Sequence, residues 1–505
     1  MSPLRTNPAG ETQAPEHPDQ GVGHDRPHPM RSLLILGLAA LSFALAQTTL
    51  VPALAELMHE FNTDASGIAW VLTGYLISAA VFTPIFGRLG DMFGKRRLLV
   101  IALFIFAAGS IVSALGDSVT TIVAGRILQG VGGGIFPLCF GIIRDEFPAE
   151  KVSASIGLIS ATAGIGGGLG LILGGLIIDG ASYHWIFWLG AAMAAVAAIA
   201  ALIWVPESPN RTPAKVDIRG AIVLAVGLTI PMYAVSEANS WGWTSFRLIG
   251  LILVGLGIIA FWVWLQKRTR DPLADVSMLA RPAVAMTNVA TLLIGFGMFA
   301  SFILIPQLVE APENTGYGLG YTATQAGLIM LPGALMMLFA GPFSGVLGSR
   351  FGNKMPLALG AVISGFGLVG LGLDHGSALS IMLWNMFSSV GIGLAFAAMP
   401  NLIMESVPVE RTGEATGFNA LIRSVGSSLG SQVTASVLTG TIVLASGFPT
   451  SEGFKTAFLI GAGASIVAGL MATLIPSRGH DHVTVAEEIG AASVLPEPAL
   501  AADEA

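Results

Sequence analysis

The sequence predicts an all-α polytopic membrane protein with fourteen transmembrane helices, two six-helix bundles in pseudo-twofold relation plus a two-helix insertion. Three observations predict it: the composition, the spacing of apolar runs and an internal repeat. Of the 505 residues, 53% are hydrophobic and 11% charged. A soluble domain carries about 25% charged residues, so water is the wrong solvent for most of this surface.

A spanning helix needs roughly 20 apolar residues. Such runs fall near 32–54, 66–88, 98–116, 119–143, 154–178, 185–205 and 218–238. They continue near 247–266, 283–308, 322–347, 355–373, 377–403, 414–443 and 456–475. An even count puts both termini on one side, and the basic residues choose which. With cytoplasmic termini, 20 of the 24 Lys and Arg residues lie in cytoplasmic segments. Of the other four, Lys455 falls in an outer loop, Arg247 sits at an outer helix end, and Arg126 and Arg423 lie within helices. The expected location is the inner cell membrane. Residues 1–31 and 477–505 are polar and read as disordered cytoplasmic tails.

The repeat divides what lies between. Gly87-Arg88-Leu89-Gly90-Asp91-Met92-Phe93-Gly94 recurs as Gly345-Val346-Leu347-Gly348-Ser349-Arg350-Phe351-Gly352, an offset of 258 residues. Pro148-Ala149-Glu150-Lys151 recurs as Pro408-Val409-Glu410-Arg411 at an offset of 260. Bundles at 32–205 and 269–476, separated by a two-helix insertion with its linker at 206–268, account for the total. Parallel halves of this kind bind solute between them near the bilayer midplane.

The loop Gly87 to Arg97 resembles the signature of the major facilitator superfamily at almost every position. The helix count points to that family's fourteen-helix drug:proton antiporter branch, and the resemblance spans about residues 31–476. It implies a conformational latch at Gly87, Arg88, Asp91, Gly94 and Arg97. Physically, the glycines permit close helix approach, and Asp91 can face the positive N-terminus of a neighbouring helix. Arg126-Ile127-Leu128-Gln129-Gly130 is similar to the family's second signature. An arginine inside a span costs several kcal/mol unless paired or hydrated, about 3 on insertion scales. Counting about 1.5 Å per residue brings Gln47 and Arg126 to comparable depth, so they are expected to meet at the cavity wall with Gln129. Gly166, Gly170, Gly174 and Gly175 resemble the antiporter signature, with Leu171 where that pattern has proline. Such spacing packs helices closely.

The expected function is secondary export of amphipathic or hydrophobic solutes, with Trp70, Tyr75, Phe136 and Phe299 as further cavity residues. Protons are the expected partner by resemblance alone, since no Asp or Glu lies deep in any span. Glu56 and Glu237 on the outer side, and Asp91 and Asp145 on the inner side, are the candidate carriers. An uncoupled facilitator or dedicated metabolite exporter fits nearly as well, and a solute sensor on the same scaffold is the rival of another class. Solute and lipid bilayer are the other expected partners, and the chain is expected to act as a monomer. No enzyme constellation, cofactor motif, metal cluster or nucleic-acid patch stands out. Gly365-Phe366-Gly367-Leu368-Val369-Gly370 matches the dinucleotide pattern but has no strand before it. Cys139 lies in an apolar run and reads as a packing residue.

Overall fold

The computed structural model describes residues 29–63, 65–211, 215–442 and 448–476, so nearly all of both expected tails lies outside the described residues. Among these residues, fourteen helices are long enough to cross a bilayer. The first six are α1 (Pro29–Thr48), α2 (Ala65–Phe93), α3 (Lys95–Ala114), α4 (Val119–Glu146), α5 (Ala149–Gly180) and α6 (His184–Trp204). Then come α7 (Ile218–Ser236) and α8 (Phe246–Arg268). The last six are α9 (Pro282–Glu310), α10 (Ala323–Phe351), α11 (Lys354–Leu373), α12 (Ala378–Glu405), α13 (Thr412–Gly440) and α14 (Ser451–Thr473).

Thirteen of these are also apolar enough to span by composition; α13 is the exception. It carries Glu414, Arg423 and many Ser and Thr residues, yet no residue from Thr412 to Leu438 is exposed. Neighbouring helices, not lipid, solvate it. Helix ends differ from the sequence reading for a similar reason. The second helix continues to Phe93 and the fifth begins at Ala149, beyond the expected 88 and 154. Asp91 at the end of the second meets the opposite half, and the start of the fifth packs against Gly345 of the opposite half near Ala154.

The two sets of six helices pack by one pattern. In the first, α1 lies on α5 and α6, α3 on α4 and α6, and α2 on α4. Eight helices later, α9 lies on α13 and α14, α11 on α12 and α14, and α10 on α12. The halves join along two seams, α2 with α13 and α5 with α10. Glycines make both possible. A Cβ at Gly87 would collide with the Gly413 carbonyl, and one at Gly157 with the Gly341 carbonyl. Between the halves in sequence, α7 pairs with α8 and packs on both α2 and α13. Trp262 of α8 stacks on Phe418 of α13 with ring centroids 5.6 Å apart. Its indole N–H donates to the Gly220 carbonyl at 2.9 Å.

Candidate functional site: the latch and the seam between the halves

The face on which α1 begins, expected to be the inner one, carries the denser chemistry. There α2 ends at Phe93 and Gly94 turns the chain at φ 106°, a left-handed value that favours glycine. The turn leaves Asp91 fully buried against the first residues of α13. Its two carboxylate oxygens accept the backbone N–H of Gly413 at 3.1 Å and of Glu414 at 2.8 Å. A carboxylate capping a helix terminus satisfies donors that the helix cannot pair itself. This one comes from the other half of the molecule.

Charge builds outward from that cap. The Lys95 ammonium lies 3.4 Å from Asp91 and 2.7 Å from Asp145, all three side chains being buried. Asp145 also accepts from the Ser208 hydroxyl and from the Asn210 amide at 2.9 Å. The Arg88 guanidinium sits 3.3 Å from Glu414, whose other oxygen accepts the Asp275 N–H at 2.6 Å. Arg144 crosses between the halves, donating to the Thr412 hydroxyl at 2.6 Å and the Met404 carbonyl at 2.7 Å. Outside the spans, Asp275 pairs with Arg411. Burial pushes its carboxyl up, but hydrogen bonds from Ser277 and the Met278 N–H, with Arg411, hold it below the ordinary carboxylate range.

The second half repeats this arrangement in weaker form. Asn353 stands 258 residues after Lys95 and donates to Glu405 at 2.6 Å, where Lys95 meets Asp145. Gly345 abuts Ala154 of α5 as Gly87 abuts Gly413.

Of the five latch residues expected from sequence, Gly87, Arg88, Asp91 and Gly94 lie in this assembly. Arg97 is exposed to solvent. Its neighbours hold the places instead: Lys95 as above, and Arg96, whose backbone N–H donates to Glu207 at 3.1 Å and whose side chain donates to the Val205 carbonyl at 3.2 Å. Sequence reasoning missed Lys95, Arg144, Glu207, Ser208 and Glu414 as members. The signal available was Glu207-Ser208 directly after α6, an acid and a hydroxyl facing a basic loop.

Toward the opposite face, Arg126 is 1% exposed and ties three helices. Its Nε donates to the Val71 carbonyl at 3.0 Å, and one terminal nitrogen donates to Ala46 and to the Gln129 amide oxygen, each at 2.9 Å. The guanidinium lies 4.1 Å over the Tyr75 ring. Gln129 passes the chain on to the Ser110 hydroxyl at 2.6 Å. The expected meeting with Gln47 occurs one residue earlier, at the backbone of Ala46, and Gln47 itself is half-buried. A void of about 20 Å³, lined by Ser42, Ala46, Arg126 and Gln129 among others, adjoins the group. That is room for a water, not a solute.

The aromatic residues separate. Tyr75 and Phe136 are packed into the core of the first half around Phe43. Trp70 stacks on Tyr233 of α7 at 5.4 Å. Phe299 alone lies toward the seam, 6.1 Å from Phe302 in a cluster with Met298, Met337, Ile392 and Phe396 that touches Ala163 of α5. The α5 glycines split between two neighbours. Gly166 and Gly170 take the close approach of α1 and Gly174 that of Thr49 just after it, while Gly175 faces Thr324 of α10. Glu56 lies in the short helix Leu54–Glu60 after α1, and Glu237 follows α7, with the Ser240 hydroxyl donating to it at 2.9 Å.

Comparison with known proteins agrees with this architecture. The family model of the Major Facilitator Superfamily matches residues 36–431 and 287–501. Multidrug resistance protein Stp of Mycobacterium tuberculosis (strain CDC 1551 / Oshkosh) is 28% identical over 81% of this chain and 75% of its own. The tetracenomycin C resistance and export protein of Streptomyces glaucescens is 26% identical over 82% of this chain and 77% of its own. Among solved structures, the human organic anion transporter MFSD10 superposes with a TM-score of 0.62 over 88% of this chain and 99% of its own. At 16% identity that likeness speaks to the fold alone. A family match across most of the chain, two six-helix halves packed alike and an acidic cap from one half onto the other lead to one assignment: this multi-pass membrane protein belongs to the major facilitator superfamily and is a transporter, not an enzyme.

Proposed function

We propose that the chain exports amphipathic, drug-like solutes in exchange for protons, by rocking of the two halves about a site between them. The observation that carries this is the Asp91 cap on α13. It joins the halves through two hydrogen bonds and a small charge network at the end of the seam, contacts that can open and re-form within a transport cycle. Relatives named for multidrug resistance and for antibiotic export support the solute class. The excess of basic residues on the inner face supports cytoplasmic termini. Asp91 and Asp145 on that face, and Glu56 and Glu237 opposite, are the candidate proton carriers.

A second reading, uncoupled facilitation, is favoured by one observation. Among the described residues, every carboxylate of the long helices lies within a few residues of a helix end. Proteoliposomes with an imposed pH gradient separate the two. Adding lipophilic cations, anions and neutral drugs in turn should dissipate the gradient with at least one of them. Solute movement that leaves the internal pH unchanged would establish the facilitator.

A further inference from the structure

Arg423 is the deep charge that neither the latch nor the Arg126 tie uses. It stands eleven residues into α13, about 16 Å from the inner end at 1.5 Å per residue, close to the middle of a bilayer core about 30 Å thick. Its backbone is locked against α9, where a Cβ on Gly295 would meet the Arg423 carbonyl at 2.6 Å. One turn nearer the inner face, the Asn419 amide donates to Asn288 at 2.9 Å and Thr291 at 2.8 Å, both on α9. The side chain starts along α9, its Cγ 3.2 Å from the same point, and its guanidinium carbon ends 4.3 Å from the centre of the Phe396 ring on α12.

Three facts distinguish this arginine from Arg126. Among the described residues, the guanidinium rests on Phe396, and no carboxylate or carbonyl accepts from it. It is partly exposed, although it lies mid-span on a helix with no exposed residue for most of its length. And the ring beneath it belongs to the Met298, Met337, Ile392 and Phe396 cluster, with Phe299, Phe302 and Ala163 alongside, which spans the seam between the halves. A guanidinium with no protein acceptor among the described residues, lying over an apolar ring, has the chemistry to receive an anion. Ring stacking leaves the five N–H donors of the guanidinium directed outward from its edge.

We propose that Arg423 binds an acidic group of the transported solute, with the Phe396, Phe299 and Phe302 surface taking its apolar body. The preferred solutes are amphipathic organic monoanions, such as an aromatic carboxylate or sulfonate. Lipophilic cations are disfavoured by the same charge. This inference rests on the export reading and names its substrate class.

The test uses the purified full chain in lipid nanodiscs, with radiolabelled 1-naphthylacetate as the anion and tetraphenylphosphonium as the cation. Wild type should bind the anion more tightly than the cation. Arg423→Gln should lower the ratio of anion to cation affinity by about ten-fold or more, the usual consequence of losing a hydrogen bond to a charged group. Arg423→Lys should recover most of that ratio, which a merely structural arginine would not require. Equal losses for both ligands in Arg423→Gln would make the residue structural and overturn the proposal. Wild type binding the cation alone would overturn it too, while leaving export of other solutes intact. Binding of neither, with no transport in the proteoliposome assay, would remove the export reading together with it.

Discussion

Asp91 of α2 caps α13 of the opposite half, accepting the N–H of Glu414 at 2.8 Å and of Gly413 at 3.1 Å. The contact couples a residue of one bundle to the backbone of the other, so the latch can be made or broken without unfolding either. The glycine pair beside it sets how closely the helices come.

That closeness gives the first prediction. A Cβ at Gly413 would meet the Gly87 carbonyl, and one at Gly87 would meet the Gly413 carbonyl. Gly413→Ala and Gly87→Ala should each reduce solute efflux about ten-fold or more with normal abundance in the membrane. Efflux at the wild-type rate in either variant would show that the seam has slack the geometry does not suggest.

Arg126 is expected to matter for stability as well as transport. Its guanidinium satisfies the carbonyls of Val71 and Ala46 and the Gln129 oxygen. Arg126→Ala removes three hydrogen bonds to a charged donor, on the order of 3 kcal/mol or more in total. The variant should therefore melt several degrees lower in detergent and transport poorly. Arg126→Lys keeps the charge but loses the fork geometry and should fall between. An unshifted melting temperature for Arg126→Ala would contradict its role as a tie among α1, α2 and α4.

The Asp275 carboxyl lies below the ordinary range, so its stabilising contribution is present above the unfolded-state value, about 3.9. That contribution is lost as pH falls through the lower folded value. Asp275→Asn should be less stable than wild type near neutrality, and the two should converge on acidification below about pH 4. Melting curves across pH 3 to 7, on the order of one unit apart, would read this directly. Because the Asp275 and Arg411 side chains are 30% and 34% exposed, the difference should be small.

Much of the fold was legible because a bilayer imposes a simple rule: about 20 apolar residues per crossing. Thirteen helices satisfy that rule; α13, expected near 414–443, is a full-length helix whose composition falls short of it and whose surroundings are protein. The rule could not locate helix ends. Phe93 and Ala149 lie past the apolar runs because the helix turns beside them, at Asp91 and Ala154, pack across the seam. The latch was legible by residue type but not by direction. Gly94 bends the chain at φ 106°, so helical spacing cannot be carried from Asp91 to the residues beyond it, and Lys95 turns inward where Arg97 does not. Tyr75 and Phe136 were not separable from Phe299 in sequence. A helix that is apolar all round does not announce which face meets the core and which meets the seam. Arg423 was visible as a charge inside a span, but its partners on α9 and α12 are set by tertiary packing.

If the halves rock about the Asp91 cap, the inner ends of α2 and α13 must take up two separations, which a distance measurement reads. Spin labels at Phe93→Cys and Val409→Cys, in a Cys139→Ala background, report the inner ends of α2 and the loop before α13. Both positions are exposed, at 44% and 37%. A short distance is expected at rest, with a second, longer one that grows with saturating solute. Asp91→Asn should raise the longer population about ten-fold, the effect of weakening a cap worth about 1 kcal/mol or somewhat more. One unchanging distance under every condition, in wild type and Asp91→Asn alike, would contradict rocking about the cap.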